Sequence, residues 1–202
     1  MSVNRLESFS DGVIAVAITL LVLNISVPAP GAASLASELG HQWPAYAAYA
    51  TSFLTIGIIW INHHVMIGRL ARTDHSILIL NIVLLLTIGL LPFATDLLAQ
   101  YLKSGHGQHL AAAIYGGAFL AMGLAFFTLN AFILLRRTHM LSARLSLDTR
   151  RRILVRGFTG VPPYAVATAI APVSQYATLA VCAGIAVFYA LPIASGLDRL
   201  PA

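Results

Sequence analysis

The sequence predicts an all-α integral membrane protein, a single domain of six transmembrane helices spanning residues 1–202. Three observations predict it. Hydrophobic residues make up 58% of the chain and charged residues only 9%, against about 25% charged in an ordinary soluble domain. Apolar stretches recur at the length of a bilayer crossing, roughly 20 residues. The arginines flank those stretches rather than interrupting them. A chain with so little charge cannot cover its surface with polar groups, and its mean hydropathy of +0.83 requires lipid as part of its solvent.

The first span runs from about Leu6 to Val27 and stops before Pro28 and Pro30. It is too long for a cleaved leader and lacks a small-residue cleavage site. The second runs from Pro44 to Leu70, with the proline suited to a first helical turn. The third runs from His75 to Leu102 and the fourth from Gln108 to Leu135. The fifth runs from Ile153 to Ala171 and stops at Pro172. The sixth, Ser174 to Leu197, is separated from it only by the tight stretch Val173–Tyr176. Fusing the last two would leave five spans.

Arginine placement sets the orientation. Arg5 precedes the first span, and Arg69 and Arg72 separate the second from the third. Arg136, Arg137, Arg144, Arg150, Arg151, Arg152 and Arg156 surround the connection from the fourth to the fifth, and Arg199 follows the sixth. With six spans all of these lie on one side, opposite Lys103. The positive-inside rule makes that side cytoplasmic and places both termini there, in a multi-pass cell-membrane protein. The net charge of +5 is therefore a topology signal, and a nucleic-acid partner is not expected. The single cysteine, Cys182, lies in an apolar run and supports neither a disulfide nor a thiolate metal site.

Ionisable groups at membrane depth are costly, about 2.5–3.5 kcal/mol each on insertion scales, so they mark sites. Arg5, Glu7, Ser8, Ser10 and Asp11 open the first span. Trp60, Asn62, His63 and His64 end the second. Arg72, Asp74 and His75 lie at the next turn, with Asn81 beyond. All fall at one cytoplasmic depth, which predicts a structural polar network of Arg5, Ser10, Asp11, Trp60, His63, His64 and Asp74. Adjacent histidines point about 100° apart on a helix, so a metal site is not expected. No serine-nucleophile frame is present, and nothing points to an enzyme or to a bound cofactor.

After Asp11 the first span is apolar on every face except at Thr19. Val16, Thr19, Leu20, Leu23 and Val27 share one stripe by helical spacing. By periodicity alone such a stripe is ordinary packing, and a lone threonine bonds back to a carbonyl one turn earlier.

These residues carry a resemblance. Arg5-x-x-x-Phe9-Ser10-Asp11-Gly12, followed by Ala15 to Leu23, resembles the signature first helix of the transmembrane protein 175 family of potassium channels. Trp60-x-x-His63-His64, Arg72-x-Asp74, Asn81 and Leu91-Pro92-Phe93 extend it to Phe93. The resemblance implies a homotetrameric cation channel without a pore loop, its pore lined by the first helix of each copy and potassium its transported ion. It implies an apolar constriction at Val16, Leu20 and Leu23 and a hydroxyl layer at Thr19 associated with modest selectivity for potassium among monovalent cations. Family members often carry a larger residue where Val16 stands, so the narrowest ring falls at Val16 or Leu20. The competing readings are a proton-coupled transporter or a proton-conducting channel using the His/Asp cluster, or a non-conducting assembly protein. The first span has no break after Gly12, unlike the discontinuous helices of many transporters.

Overall fold

The computed structural model describes residues 2–29 and 34–191. These form eight α-helices in chain order: α1 Val3–Leu20, α2 Leu35–His41, α3 Trp43–Ile67, α4 His75–Tyr101, α5 Gln108–Arg136, α6 Leu147–Phe158, α7 Val161–Ile170 and α8 Gln175–Ala190. Five stretches are long and apolar enough to cross a membrane: Val3–Asn24, Trp43–Ile67, His75–Tyr101, Gln108–Arg136 and Leu147–Ile170. Helix α8 is apolar but has 16 residues.

Local chemistry accounts for the element ends. Pro44 occupies the first turn of α3, where a missing N–H costs nothing. Asp74 caps α4 by accepting the Ile77 N–H at 2.9 Å, and Ser146 and Ser174 cap α6 and α8 in the same way. Gly107, at φ 76°, turns the chain into α5, a backbone region that side-chain-bearing residues avoid.

Three expectations change. The first span is α-helical only to Leu20; Leu21–Asn24 tighten into a 3-10 turn, so Leu23 departs from α spacing and Val27 lies beyond the helix. The fifth expected span, Ile153–Ala171, is divided at Thr159–Gly160. Helix α6 carries four arginines and the apolar part, α7, has only 10 residues. Helix α2 was not expected. The tight connection before the sixth span is present as a turn at 171–173, whereas the part of that span after Leu191 lies outside the described residues.

Helices α1, α3, α4 and α5 alternate in direction, α6 and α7 in succession run back along α5, and α8 returns along α7. At one end, Lys103 sits over the Trp43 ring at 5.1 Å and Trp43 stacks on Tyr176. His109 Nδ1 meets the Ala171 carbonyl there at 3.0 Å. At the other end, the α3–α4 and α5–α6 connections are clasped by their main chains: Ala71 N–H donates to Met140 O and Ser142 N–H to Arg69 O, each at 2.8 Å. Asp74 pairs with Arg137 beside this clasp. The core between the ends centres on Tyr115 and Phe119, with the Phe119 and Tyr164 rings stacked at 5.5 Å. Within it Ser52 Oγ lies 2.8 Å from Thr95 Oγ1 and 3.2 Å from Tyr115 Oη. Gly116 lets α5 approach α7 at Thr168 so closely that an added Cβ would lie 3.1 Å from the Thr168 Cα, the small-residue contact typical of membrane helices.

Candidate functional site

Helix α1 has two faces of similar apolarity and opposite circumstances. Leu6, Ser10, Ile14, Ala17 and, just beyond the helix, Leu21 are buried. Their spacing of three or four residues defines one stripe, and it packs on α3 and α4. The other stripe is bare in the single chain: Val16 is 57% exposed, Leu20 44% and Leu23 73%, and Thr19 lies exposed between them. A crevice of about 570 Å³ runs along this side, lined by Ser8, Phe9, Gly12, Val16, Leu20 and, from α4, Gly89 among others. Of the four residues read from the sequence as an ion path, Val16, Thr19 and Leu20 share the outward side of α1, and Leu23 is exposed on the 3-10 turn that follows it.

The Thr19 hydroxyl donates to the Val16 carbonyl at 2.9 Å. This is the back-bond expected of a threonine in a spanning helix. It also fixes the polarity of the group: the proton is committed to the helix, and the oxygen lone pairs are left for whatever occupies the exposed side.

On the buried side, α1 is fastened by polar contacts at one depth. Glu7 and Asp11 stand one turn apart on α1, and Trp60 and His64 one turn apart on α3. Because the two helices are antiparallel, the pairs meet as rungs. The Trp60 indole N–H donates to Asp11 Oδ1 at 2.9 Å, and His64 Nδ1 meets Glu7 Oε1 at 2.7 Å. Deeper in, Ser10 Oγ donates to the Leu6 carbonyl and accepts from Asn81 Nδ2, both at 2.9 Å. Asn81 Oδ1 faces His63 Nε2 at 2.8 Å. An amide oxygen only accepts, so with this amide orientation Nε2 carries the proton. Ser10, His63 and Asn81 are all fully buried, and His63 Nδ1 has no partner among the described residues.

The structure brings together Ser10, Asp11, Trp60, His63 and His64, but not the whole expected set. Arg5 is exposed, on a face of α1 away from the buried stripe, and makes no ion pair among the described residues. Asp74 belongs elsewhere: its carboxylate caps α4 and reaches Arg137 at the end of α5. The Ile77 N–H and then the Arg137 guanidinium hold its pKa below the ordinary carboxylate value. Glu7 and Asn81, which the expected set omits, are full members of the network. Glu7 was legible as the residue one turn from Asp11, matching the Trp60–His64 interval on α3.

With this geometry described, comparison with known proteins is informative. The profile of a family described as the endosomal/lysosomal potassium channel TMEM175 matches residues 5–92, the part of the chain that holds α1, α3 and most of α4. A potassium channel of Streptomyces collinus is 42% identical over 198 residues, covering 98% of this chain and 93% of that one. A potassium channel of Chamaesiphon minutus is 39% identical over 196 residues, covering 93% of each. The crystal structure of a lysosomal potassium-selective channel TMEM175 homologue from Chamaesiphon minutus superposes with a TM-score of 0.83 at 37% identity, covering 93% of this chain and 96% of that one. The endosomal/lysosomal proton channel TMEM175 of Gallus gallus is 37% identical over 117 residues, 54% of this chain but 23% of its own length.

Proposed function

The chain belongs to the TMEM175 family of ion channels, and from that premise we propose that it is a potassium channel whose pore is lined by α1 from four copies of the chain. The observation that carries this reading is the outward stripe of α1: a helix fixed to its own bundle by one face presents Val16, Thr19, Leu20 and Leu23 on the other. Fourfold symmetry turns such a stripe into stacked rings around an axis. The crevice beside Gly12, Val16 and Leu20 is then the seat of the neighbouring α1. The chain spans the cytoplasmic membrane six times, with both termini and the arginine-rich end in the cytoplasm.

Rings of Val16, Leu20 and Leu23 close the path by excluding water. Conduction requires them to widen until a partly hydrated cation passes. Four Thr19 oxygens, their protons already committed to Val16 carbonyls, then replace some of the ion's water. A single layer of hydroxyls gives modest discrimination of potassium from sodium, weaker than successive carbonyl cages. The rungs between α1 and α3 and the Ser10–Asn81–His63 chain hold each α1 at a fixed rotation and so set the ring radius.

Purified protein in liposomes tests the reading. Passive potassium flux down its own gradient, without a second coupled solute, is expected; its failure under every gradient rejects conduction. One observation favours a second reading, proton conduction: two sets of titratable and hydrogen-bonding groups, the Glu7–His64 pair and the Ser10–Asn81–His63 chain, stand near the N-terminal end of α1. Acidification of the liposome lumen under a proton gradient, with no potassium flux, would select it.

A further inference from the structure

Between α7 and α8 lies an apolar crevice of about 490 Å³, lined by Pro163, Val181, Gly184, Ile185 and Phe188. Two hydroxyls close one end of it, Thr159 Oγ1 and Tyr189 Oη, 3.1 Å apart. It opens outward: Phe188 is exposed, and a Cβ added at Gly184 would meet nothing within 4 Å. The polar end abuts α6, whose sequence is unlike that of any other helix here. Arg152, Arg156 and Thr159 stand at i, i+4 and i+7, so two guanidinium groups lie on the helical stripe that leads to the crevice mouth. Alongside, Leu147, Arg151, Val155 and Phe158 form a second exposed stripe, mostly apolar. None of the residues of α6 is buried.

An exposed helix with arginines on one stripe and large apolar residues on the next has the pattern of a segment at headgroup depth, here packed antiparallel on the last turns of α5. Such arginines attract anionic headgroups, by about 1 kcal/mol per basic residue near a charged surface. Here the arginine stripe ends at the mouth of an apolar crevice, where the Thr159 hydroxyl donates to the Arg156 carbonyl at 2.7 Å and accepts from Tyr189 Oη. We propose that α6, α7 and α8 form a binding site for one anionic phospholipid of the arginine-side leaflet. Its phosphate is held by Arg152 and Arg156, and one acyl chain lies in the crevice over Gly184. A zwitterionic lipid carries the same acyl chain but brings no net charge to the arginines; free phosphate satisfies the arginines but leaves the crevice empty. The site needs both parts and does not depend on conduction.

Delipidated full-length protein in detergent, titrated with dioleoyl phosphatidylglycerol, dioleoyl phosphatidylcholine or inorganic phosphate and read by native mass spectrometry and melting temperature, tests this. Phosphatidylglycerol is expected to bind on the order of tenfold more tightly than phosphatidylcholine, with phosphate giving no shift at the same concentration. R152Q/R156Q should abolish most of that preference. G184L puts a side chain into the crevice at a position where an added Cβ meets no protein atom within 4 Å and leaves both arginines in place, and it should weaken phosphatidylglycerol binding by a similar factor. Wild-type protein in high salt makes the electrostatic test without any substitution, and the preference should collapse there. Equal affinity for the two lipids, a phosphate shift matching the lipid's, a preference that survives high salt, or unchanged binding in G184L each overturns the proposal. Loss of the oligomer in G184L would assign the crevice to a second copy of the chain and overturn it as well.

Discussion

Across the seam between α1 and α3, the Trp60 indole N–H donates to Asp11 Oδ1 at 2.9 Å. Trp60 is 42% exposed, so the bond is partly wet and of moderate strength. Its value lies in its direction: one ring fixes the rotation of the helix that presents Thr19 and Leu20 outward. Trp60→Phe keeps the ring and removes the donor. A loss of roughly 0.5–1.5 kcal/mol is expected, with no further loss when Asp11→Ala, which removes the acceptor, is added. A melting-temperature double-mutant cycle measures the coupling; strictly additive losses would show that the two residues do not act together.

The buried chain from His63 through Asn81 to Ser10 has no water to fall back on. Asn81→Leu leaves the His63 Nε2 proton unpaired and removes the donor to Ser10. A loss of roughly 1–3 kcal/mol is expected, larger than that of Trp60→Phe. The order of the two melting temperatures checks this, and a milder Asn81→Leu would mean that the chain is not structurally important.

At Thr19, the oxygen and the shape can be separated. Thr19→Val keeps the branched side chain and removes the oxygen, whereas Thr19→Ser keeps the oxygen. Valine should reduce potassium preference over sodium while leaving current, and serine should retain most of the preference. Bi-ionic reversal potentials decide, and equal values for wild type and valine would remove Thr19 from selectivity.

Trimming the apolar rings should open them. Val16→Ala or Leu20→Ala is expected to raise resting potassium leak in liposomes, the larger increase identifying the narrower ring. If neither changes the leak, the constriction lies elsewhere.

Asp74 supplies a pH signature. Its folded-state pKa is depressed by the Ile77 N–H and the Arg137 guanidinium, so the unfolded chain takes up the proton at higher pH than the folded one. The associated stability is complete above the ordinary carboxylate value of 3.8 and disappears as pH falls through the folded value. Asp74→Asn retains a capping side chain but loses the charge opposite Arg137. Its melting temperature should lie below wild type at neutral pH and converge with it in acid. A gap independent of pH would exclude the ion pair as the cause.

Depth was legible in the sequence, and rotation only in part. Apolar length located α1, α3, α4 and α5, because the cost of exposing a peptide group to lipid forces helix wherever the chain crosses. Of the polar residues expected at one level, Ser10, Asp11, Trp60, His63 and His64 make contacts that join α1 with α3 or α4, or α3 with α4. Their partners depend on which way each side chain faces, and there Arg5 and Asp74 departed from expectation. Asp74 follows the local rule for an N-cap and then meets Arg137, a residue 63 positions away that spacing alone could not select. The Ser52–Thr95–Tyr115 contact was invisible for the same reason: Thr95 and Tyr115 are isolated hydroxyls, and Ser52 stands beside Thr51 and near Thr55 with nothing in the spacing to single it out. Helix α6 was hidden because a span search treats arginines as boundaries, although Leu147, Arg151, Val155 and Phe158 already keep helical time.

The 3-10 turn that ends α1 closes with Asn24, whose side-chain amide reaches the Pro92 carbonyl of α4 at 3.3 Å. At the other end Ser10 is tied to Asn81, also on α4. The stretch between is therefore strung like a bow between two tethers on a single partner helix. Side-chain hydrogen bonds hold its ends, while apolar packing of Ile14 and Ala17 holds the middle and leaves Val16 and Leu20 bare beside Gly89 of α4. For the proposed pore, a helix so mounted is expected to widen the path by flexing at mid-length rather than by swinging about one end.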